Sequence, residues 1–411
     1  MEPTVGIIAA LDTKGEEAKF VRDYLRGQGL RTLLIDVGVL GEPAMPAEVT
    51  RAEVAAAGGD DLAELLRTRD KARAMDAMTK GAAVVAARLY SQGRVTGLIG
   101  MGGSAGTAIA TSAMRALPVG VPKLVVSTVA AGETRPYVGT KDIAMLYSVV
   151  DVAGINRISG RILTNAAAAM AGMVRAEPPR IAERPLIAAS MFGNTTPCVD
   201  RARQIFEAAG YEVLVFHATG TGGETMEGLI ADGYVSAVFD VTTTEWADEL
   251  CGGVFSAGPR RLEAAARVGV PQVIAPGCLD MVNFGGAETV PAKYRDRNLY
   301  RWNPNVTLMR TTPEENRELG RIIAEKANLS SGPVTVLIPL GGVSQLDSEG
   351  NPYWWPEADA ALFAALEQNL RKDIPVVKID HNINDSEFAE QAAAILLEML
   401  RVRGAANPGG E

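Results

Sequence analysis

The chain is short of the residues that most often announce a chemistry. It holds three cysteines, Cys198, Cys251 and Cys278, and two histidines in 411 residues. The cysteines are odd in number and show no C-x-x-C spacing, which excludes a disulfide framework and a structural zinc site. No apolar run approaches the roughly eighteen residues of a membrane span, and the N-terminus has no basic stretch followed by an apolar one. A soluble, cytoplasmic protein with no membrane partner is the expectation. There is no long basic run, and the net charge is −9. Nucleic acid is therefore excluded as a main partner, since phosphate neutralisation needs a basic face.

What is present is ordinary globular material, 47% hydrophobic and 22% charged. The length suggests two domains. The polar, proline-rich stretch AEPPRIAERP, residues 176–185, is the natural linker. It separates an N-terminal domain over residues 1–178 from a C-terminal domain over 186–404.

The N-terminal half is organised around VTGLIGMGGSAGTAIATSAMRAL, Val95 to Leu117. A short apolar run, a glycine turn from Gly102 to Gly106 and a run of small helix formers ending at Pro118 read as strand, turn and helix. Such a turn exposes backbone N–H groups at a helix N-terminus, where the dipole favours an anion. Glycines let a phosphate approach without an obstructing Cβ. Gly102, Gly103, Ser104, Gly106 and Thr107 are candidate phosphate-binding residues. Gly100, Gly102 and Ala105 fit G-x-G-x-x-G/A. The motif does not follow the first strand, however, and no acidic residue stands about twenty positions on. It is no Walker loop, because it lacks Lys. A turn needed only for close packing is the other reading.

Around it, Val5–Leu11, Thr32–Val37, Lys123–Thr128 and Ala144–Val152 read as strands buried on both faces of a parallel sheet. Asp12 or Thr13 can cap the following helix. Lys14, a cation at a helix N-terminus, is either solvated or opposite an anion. Asp36 ends the second strand, as a ribose ligand or a loop cap. Ser127 ends another strand, where open α/β sheets bind ligands.

In the C-terminal half one event recurs six times: a short apolar strand ends and a polar loop follows. In a doubly wound sheet these loops collect along one edge. His217, Glu224, Asp240, Glu245, Asp280, Asn283, Ser344, Asp347, His381 and Asp385 are then expected to share one cleft. His217, Glu224, Asp240 and His381 are the candidates for acid–base catalysis, and mixed N/O metal binding is an alternative. Ser344 is not in a G-x-S-x-G elbow. Cys278, beside Asp280, is a candidate nucleophile.

Seven segments in order, IAALDTKGEE, GMGGSAGT, FHATGTGGETME, DVTTTE, PGCLDMVNF, PLGGVSQLDSEGNPYWWPEAD and HNIND, resemble the Tm-1-like ATP-binding proteins, also called UPF0261. The resemblance covers nearly the whole chain. It implies an α/β protein of two Rossmann-like domains, with mainly parallel sheets flanked by helices. It also implies ATP binding, with Mg²⁺ as a candidate companion, and a homodimer or higher homo-oligomer. The nucleotide would lie in the N-terminal domain, on Asp12, Thr13, Lys14 and the Gly102–Thr107 turn. The expected function is an ATP-binding enzyme of small-molecule metabolism with its acid–base groups in the C-terminal cleft. The alternatives are a nucleotide-dependent regulatory protein without turnover, and a metal-dependent lyase or hydrolase acting on a sugar-acid-like substrate.

Overall fold

The computed structural model describes residues 3–177 and 184–406. The chain divides into two compact units, Met1–Arg180 and Ile181–Glu411. That division falls inside the expected linker, most of which (178–183) lies outside the described residues. No described helix is long and apolar enough to cross a membrane.

The N-terminal unit is built on five strands: β1 (Thr4–Ala9), β2 (Arg31–Asp36), β3 (Gly97–Gly102), β4 (Lys123–Ser127) and β5 (Ala144–Tyr147). Every pairing is parallel and the order is β2-β1-β3-β4-β5. The continuous apolar runs occupy the middle: β3 and β4 are buried along their whole length, while the edge strand β5 is not. The strand expected to reach Val152 stops at Tyr147. Val149 takes φ +63°, a left-handed conformation costly for a β-branched residue and incompatible with extended pairing. Helices cover both faces, packed through two apolar clusters on opposite sides of the sheet.

The C-terminal unit repeats the plan. Its strands are β6 (Leu186–Met191), β7 (Glu212–His217), β8 (Ala237–Thr242), β9 (Gln272–Gly277), β10 (Met281–Phe284), β11 (Leu299–Asn303), β12 (Val306–Arg310), β13 (Val334–Pro339) and β14 (Val376–Ile379). Six form a parallel sheet of order β14-β13-β9-β8-β6-β7. These are the six strands read from the sequence. The other three make a small antiparallel sheet, β10-β12-β11, inserted between β9 and β13. Its strands, of four or five residues each, do not stand out from loop in the sequence.

Both parallel sheets share one winding. The chain enters at an interior strand, adds one strand on one side, then crosses and continues on the other. The reversal lies between β1 and β3 in the first unit, and between β6 and β8 in the second. In open α/β sheets the crevice outside the strand ends at this reversal is where ligands bind.

Candidate functional site

At the first reversal, β3 runs into the helix Ser104–Arg115 through Gly102 and Gly103. Gly102 has φ +154°, and a Cβ there would meet the Gly106 Cα at 3.1 Å. A Cβ on Gly100 would meet that of Ala110 at 2.5 Å, so this glycine is what allows the helix to lie against the strand. Gly103 is the N-cap and has no side chain to accept from the first turn. The N–H groups of Ser104, Ala105 and Gly106 therefore open outward without a side-chain cap. Ser104 and Ala105 are exposed. Beside Gly103 the nearest atom to a would-be Cβ is the Thr128 hydroxyl at 3.8 Å, so the space above the turn is open.

Thr107 and Ser127 lie beneath this turn. Both are fully buried, and their hydroxyls bond each other at 2.6 Å. Ser127 also accepts from the Val129 N–H. They hold the turn against β4 and present no free hydroxyl to a ligand, which corrects the expectation for both.

The loop after β1 adjoins that turn. Lys14, half-buried, sits at the N-cap of the helix Gly15–Gly27 and supplies no side-chain cap, nor does Asp12 or Thr13. Thr13 is exposed, with its hydroxyl on the Ala10 carbonyl. Asp12 Oδ2 accepts the N–H groups of Leu40 at 2.7 Å and Gly41 at 3.0 Å, while its Oδ1 is buried without a partner. Asp36 is 2% exposed, and its Oδ1 accepts from Leu11 and Gly38. Burial raises its pKa. Of the two readings of Asp36, the loop cap describes these bonds and the ribose ligand does not.

At the second reversal the equivalent space is filled. The Thr242 hydroxyl donates to the Ser190 carbonyl, the Thr242 N–H donates to the Ser190 hydroxyl oxygen, and the Thr195 and Thr242 hydroxyls bond each other at 2.8 Å. All three residues are buried. Below them the guanidinium of Arg261, 1% exposed, forms a fork on Asp240 at 2.5 and 2.6 Å. It also bonds Glu245 at 2.6 Å and reaches Glu227 at 3.3 Å. Burial alone would lower the Arg261 pKa, but the carboxylates outweigh it and raise it. Asp240, expected as a catalytic acid or base, is instead one arm of this buried ion cluster.

A second buried guanidinium, Arg310, gathers Asp347 at 3.3 Å and Asp359 at 2.8 Å. Asp280 adjoins this group and accepts from the Ser344 hydroxyl at 2.8 Å. Burial, followed by the Asp347 charge, pushes Asp280 up to about 7 and Asp359 up to about 8. Asn283 is held instead by Asp248, whose carboxyl accepts its N–H and its amide. Cys278 is fully buried, and burial raises its thiol well above the ordinary value, which removes the thiolate a nucleophile needs.

The ten residues expected in one cleft thus separate. His217 ends β7 and His381 follows β14, and these strands are the two opposite edges of the sheet. Five strand spacings, ~24 Å, keep them apart. His217, the last residue of β7, and Glu224, in the first turn of the helix Thr221–Ala231, are both exposed. His381 Nδ1 lies 3.5 Å from Asp385 at the other edge. Among the described residues no group of three or more His, Cys, Asp or Glu is placed to hold a metal ion.

Sequence reasoning missed the two buried arginines, because nothing in GPRR or LMR separates them from solvated ones. It also missed the aromatic residues Phe192, Phe255 and Trp302. These line a cavity of about 170 Å³ at the ends of β6 and β7.

The family models match on either side of the linker. Residues 3–179 match the N-terminal domain, and residues 184–400 the C-terminal domain, of the uncharacterised protein family UPF0261. A UPF0261 protein of Clostridium tetani is 52% identical over 97% of this chain and 100% of its own length. One from Rhizobium meliloti is 45% identical over 94% and 97%. The tomato (Solanum lycopersicum) ToMV resistance protein Tm-1(GCR237) is 42% identical over 74% of this chain, which spans 42% of that longer protein. Among solved structures, Acinetobacter baumannii MurG aligns over 97% of this chain and 100% of its own with a TM-score of 0.20 and 11% identity, a likeness too weak to bear on fold or chemistry. With both halves matched in order and relatives of like length on hand, the chain belongs to the UPF0261 family.

Proposed function

We propose that the N-terminal unit binds the phosphates of a nucleotide, ATP in the first instance, on the first turn of the helix Ser104–Arg115. The observation that carries the reading is a coincidence of position. The order of strand addition reverses between β1 and β3, and the helix at that reversal begins on a bare glycine with no side-chain cap. An anion there meets backbone N–H groups and the positive end of the dipole together. Lys14, on the loop of the neighbouring strand, supplies a cation that is otherwise badly placed at the start of its own helix. The partnerless Oδ1 of Asp12 is an oxygen that a phosphate-bound Mg²⁺ would use. Bound there, ATP would supply a phosphoryl group or a binding-driven signal. What this chain's own residues do is hold the phosphates and orient them.

Gly103 is the residue on which to test this. Titration calorimetry of ATP with Mg²⁺ into the wild type, Gly103→Asp and His217→Ala separates the possibilities. Loss of binding in Gly103→Asp alone is the expected result, because a carboxylate would then occupy the anion position. Loss in His217→Ala alone would move the nucleotide to the C-terminal unit. No heat with the wild type would remove ATP from the account.

A further inference from the structure

We infer that the C-terminal unit carries a second, separate ligand site, built for a flat, uncharged aromatic ring. The site is the cavity of about 170 Å³ bounded by Phe192, Asn194, Thr219, Phe255, Trp302 and Leu308. It opens at the carboxyl ends of β6 and β7, beside the strand reversal where sheets of this winding take their ligands.

Its size and lining set the ligand. A space of ~150 Å³ with apolar walls accommodates a benzene-sized ring. Phe192 and Phe255 meet edge to face at 6.2 Å, so two ring surfaces already flank the space. Trp302 closes it. The pairing of β11 with β12 slips between Arg301 and Asn303 and leaves Trp302 as the bulged residue. A bulge re-aims the side chain it carries. Here the indole ends up over Gly193, where a Cβ would stand 3.8 Å from its ring. Trp302 remains 44% exposed, as a lid over a pocket would be.

None of the lining residues is charged. A carboxylate or phosphate entering the cavity would lose its hydration with no cation to meet it, which excludes a sugar acid from this space. Asn194 is a fixed part of the wall. Its side chain is 1% exposed and its amide nitrogen rests on the Met281 sulfur at 3.5 Å. Its backbone carbonyl is held by the Gln345 N–H and the Asn384 amide. The surfaces left for a ligand are the aromatic and aliphatic ones, which favour a neutral ring.

The test uses the full chain and 4-fluorophenol, followed by ¹⁹F NMR, with fluorobenzene and 4-fluorobenzoate as controls. Saturable binding of 4-fluorophenol and of fluorobenzene is expected, with 4-fluorobenzoate not bound, because its carboxylate would lose hydration with no cation to meet it. Val306→Trp, which fills the cavity, should abolish binding. Trp302→Ala should weaken it several-fold, and because that side chain is on the surface the variant reports even if Val306→Trp fails to fold. Gly103→Asp should bind 4-fluorophenol as the wild type does, so failure of the nucleotide reading leaves this one standing, and the reverse. Absence of saturable binding, equal binding of the benzoate, or binding indifferent to Trp302→Ala would overturn the proposal.

Discussion

The two units wind their sheets in the same way but finish the carboxyl edge differently. In the N-terminal unit the strand reversal carries a bare glycine N-cap, exposed Ser104 and Ala105, and an ion-pair-free Lys14 among the described residues. In the C-terminal unit the same position is closed by a Ser190–Thr195–Thr242 hydroxyl set above the Arg261 ion cluster. Polar residues at strand ends therefore mean opposite things in the two halves. In the first, backbone donors are left for something to bind. In the second, the carboxylates are consumed internally, and the open space lies to one side, under aromatic rings.

The largest expected effect breaks the closed edge. Arg261→Met leaves Asp240, Glu245 and Glu227 without their counter-charge. Stripping one partner from a buried ion cluster costs about 3–5 kcal/mol. Urea denaturation should show a loss of that order. A loss under about 1 kcal/mol would mean that water reaches these carboxylates and the edge is not closed.

Protonation sharpens the same contrast. Burial pushes Asp248 up to about 7 from an ordinary 3.8. The native state then holds this proton more tightly than the unfolded chain does, so stability falls as pH rises from about 4 to about 7 and levels off above. The slope for one such proton is ~1.4 kcal/mol per pH unit. Asp248→Asn should flatten the profile of denaturation midpoints across that range, by up to a few kcal/mol in total. A profile identical to wild type would show Asp248 to be ionised in the fold.

On the open edge, Thr107→Val removes the buried hydroxyl pair with Ser127. About 1 kcal/mol of stability should go, with ATP binding retained, because the hydroxyl holds the turn from beneath. If calorimetry finds binding abolished in a variant that stays folded, the hydroxyl faces the ligand after all.

The smallest effect on stability belongs to Lys14→Met, within about 0.5 kcal/mol by thermal melting. Its effect on ATP should be far larger, about tenfold in affinity or ~1.4 kcal/mol. A Lys14→Met protein that binds ATP as the wild type does would reduce the residue to a solvated surface charge.

Much of this molecule can be read from its sequence. Apolar runs such as VGIIAAL and KLVVST can only be buried on both sides, so they become strands of a parallel sheet covered by helices. The glycine turn at Gly102–Gly106 announces a strand–helix junction, because Gly102 takes φ +154° and a Cβ there would press on Gly106. Strand order and side-chain direction are another matter. His217 and His381 follow similar strands into similar polar loops, yet the order of pairing sends them to opposite edges of the sheet. Asp240, Asp280 and Asp347 read as members of one polar cleft until Arg261 and Arg310 are found buried among them. Trp302 sits in a stretch that reads as loop, and only a slipped pairing turns it over a cavity. Local periodicity fixes which segments become strands and helices, since backbone and burial preferences act over a few residues. Which strand ends remain open, which carboxylates are neutralised and where space is left depend on contacts between segments tens to hundreds of residues apart, and those were decided by the tertiary structure alone.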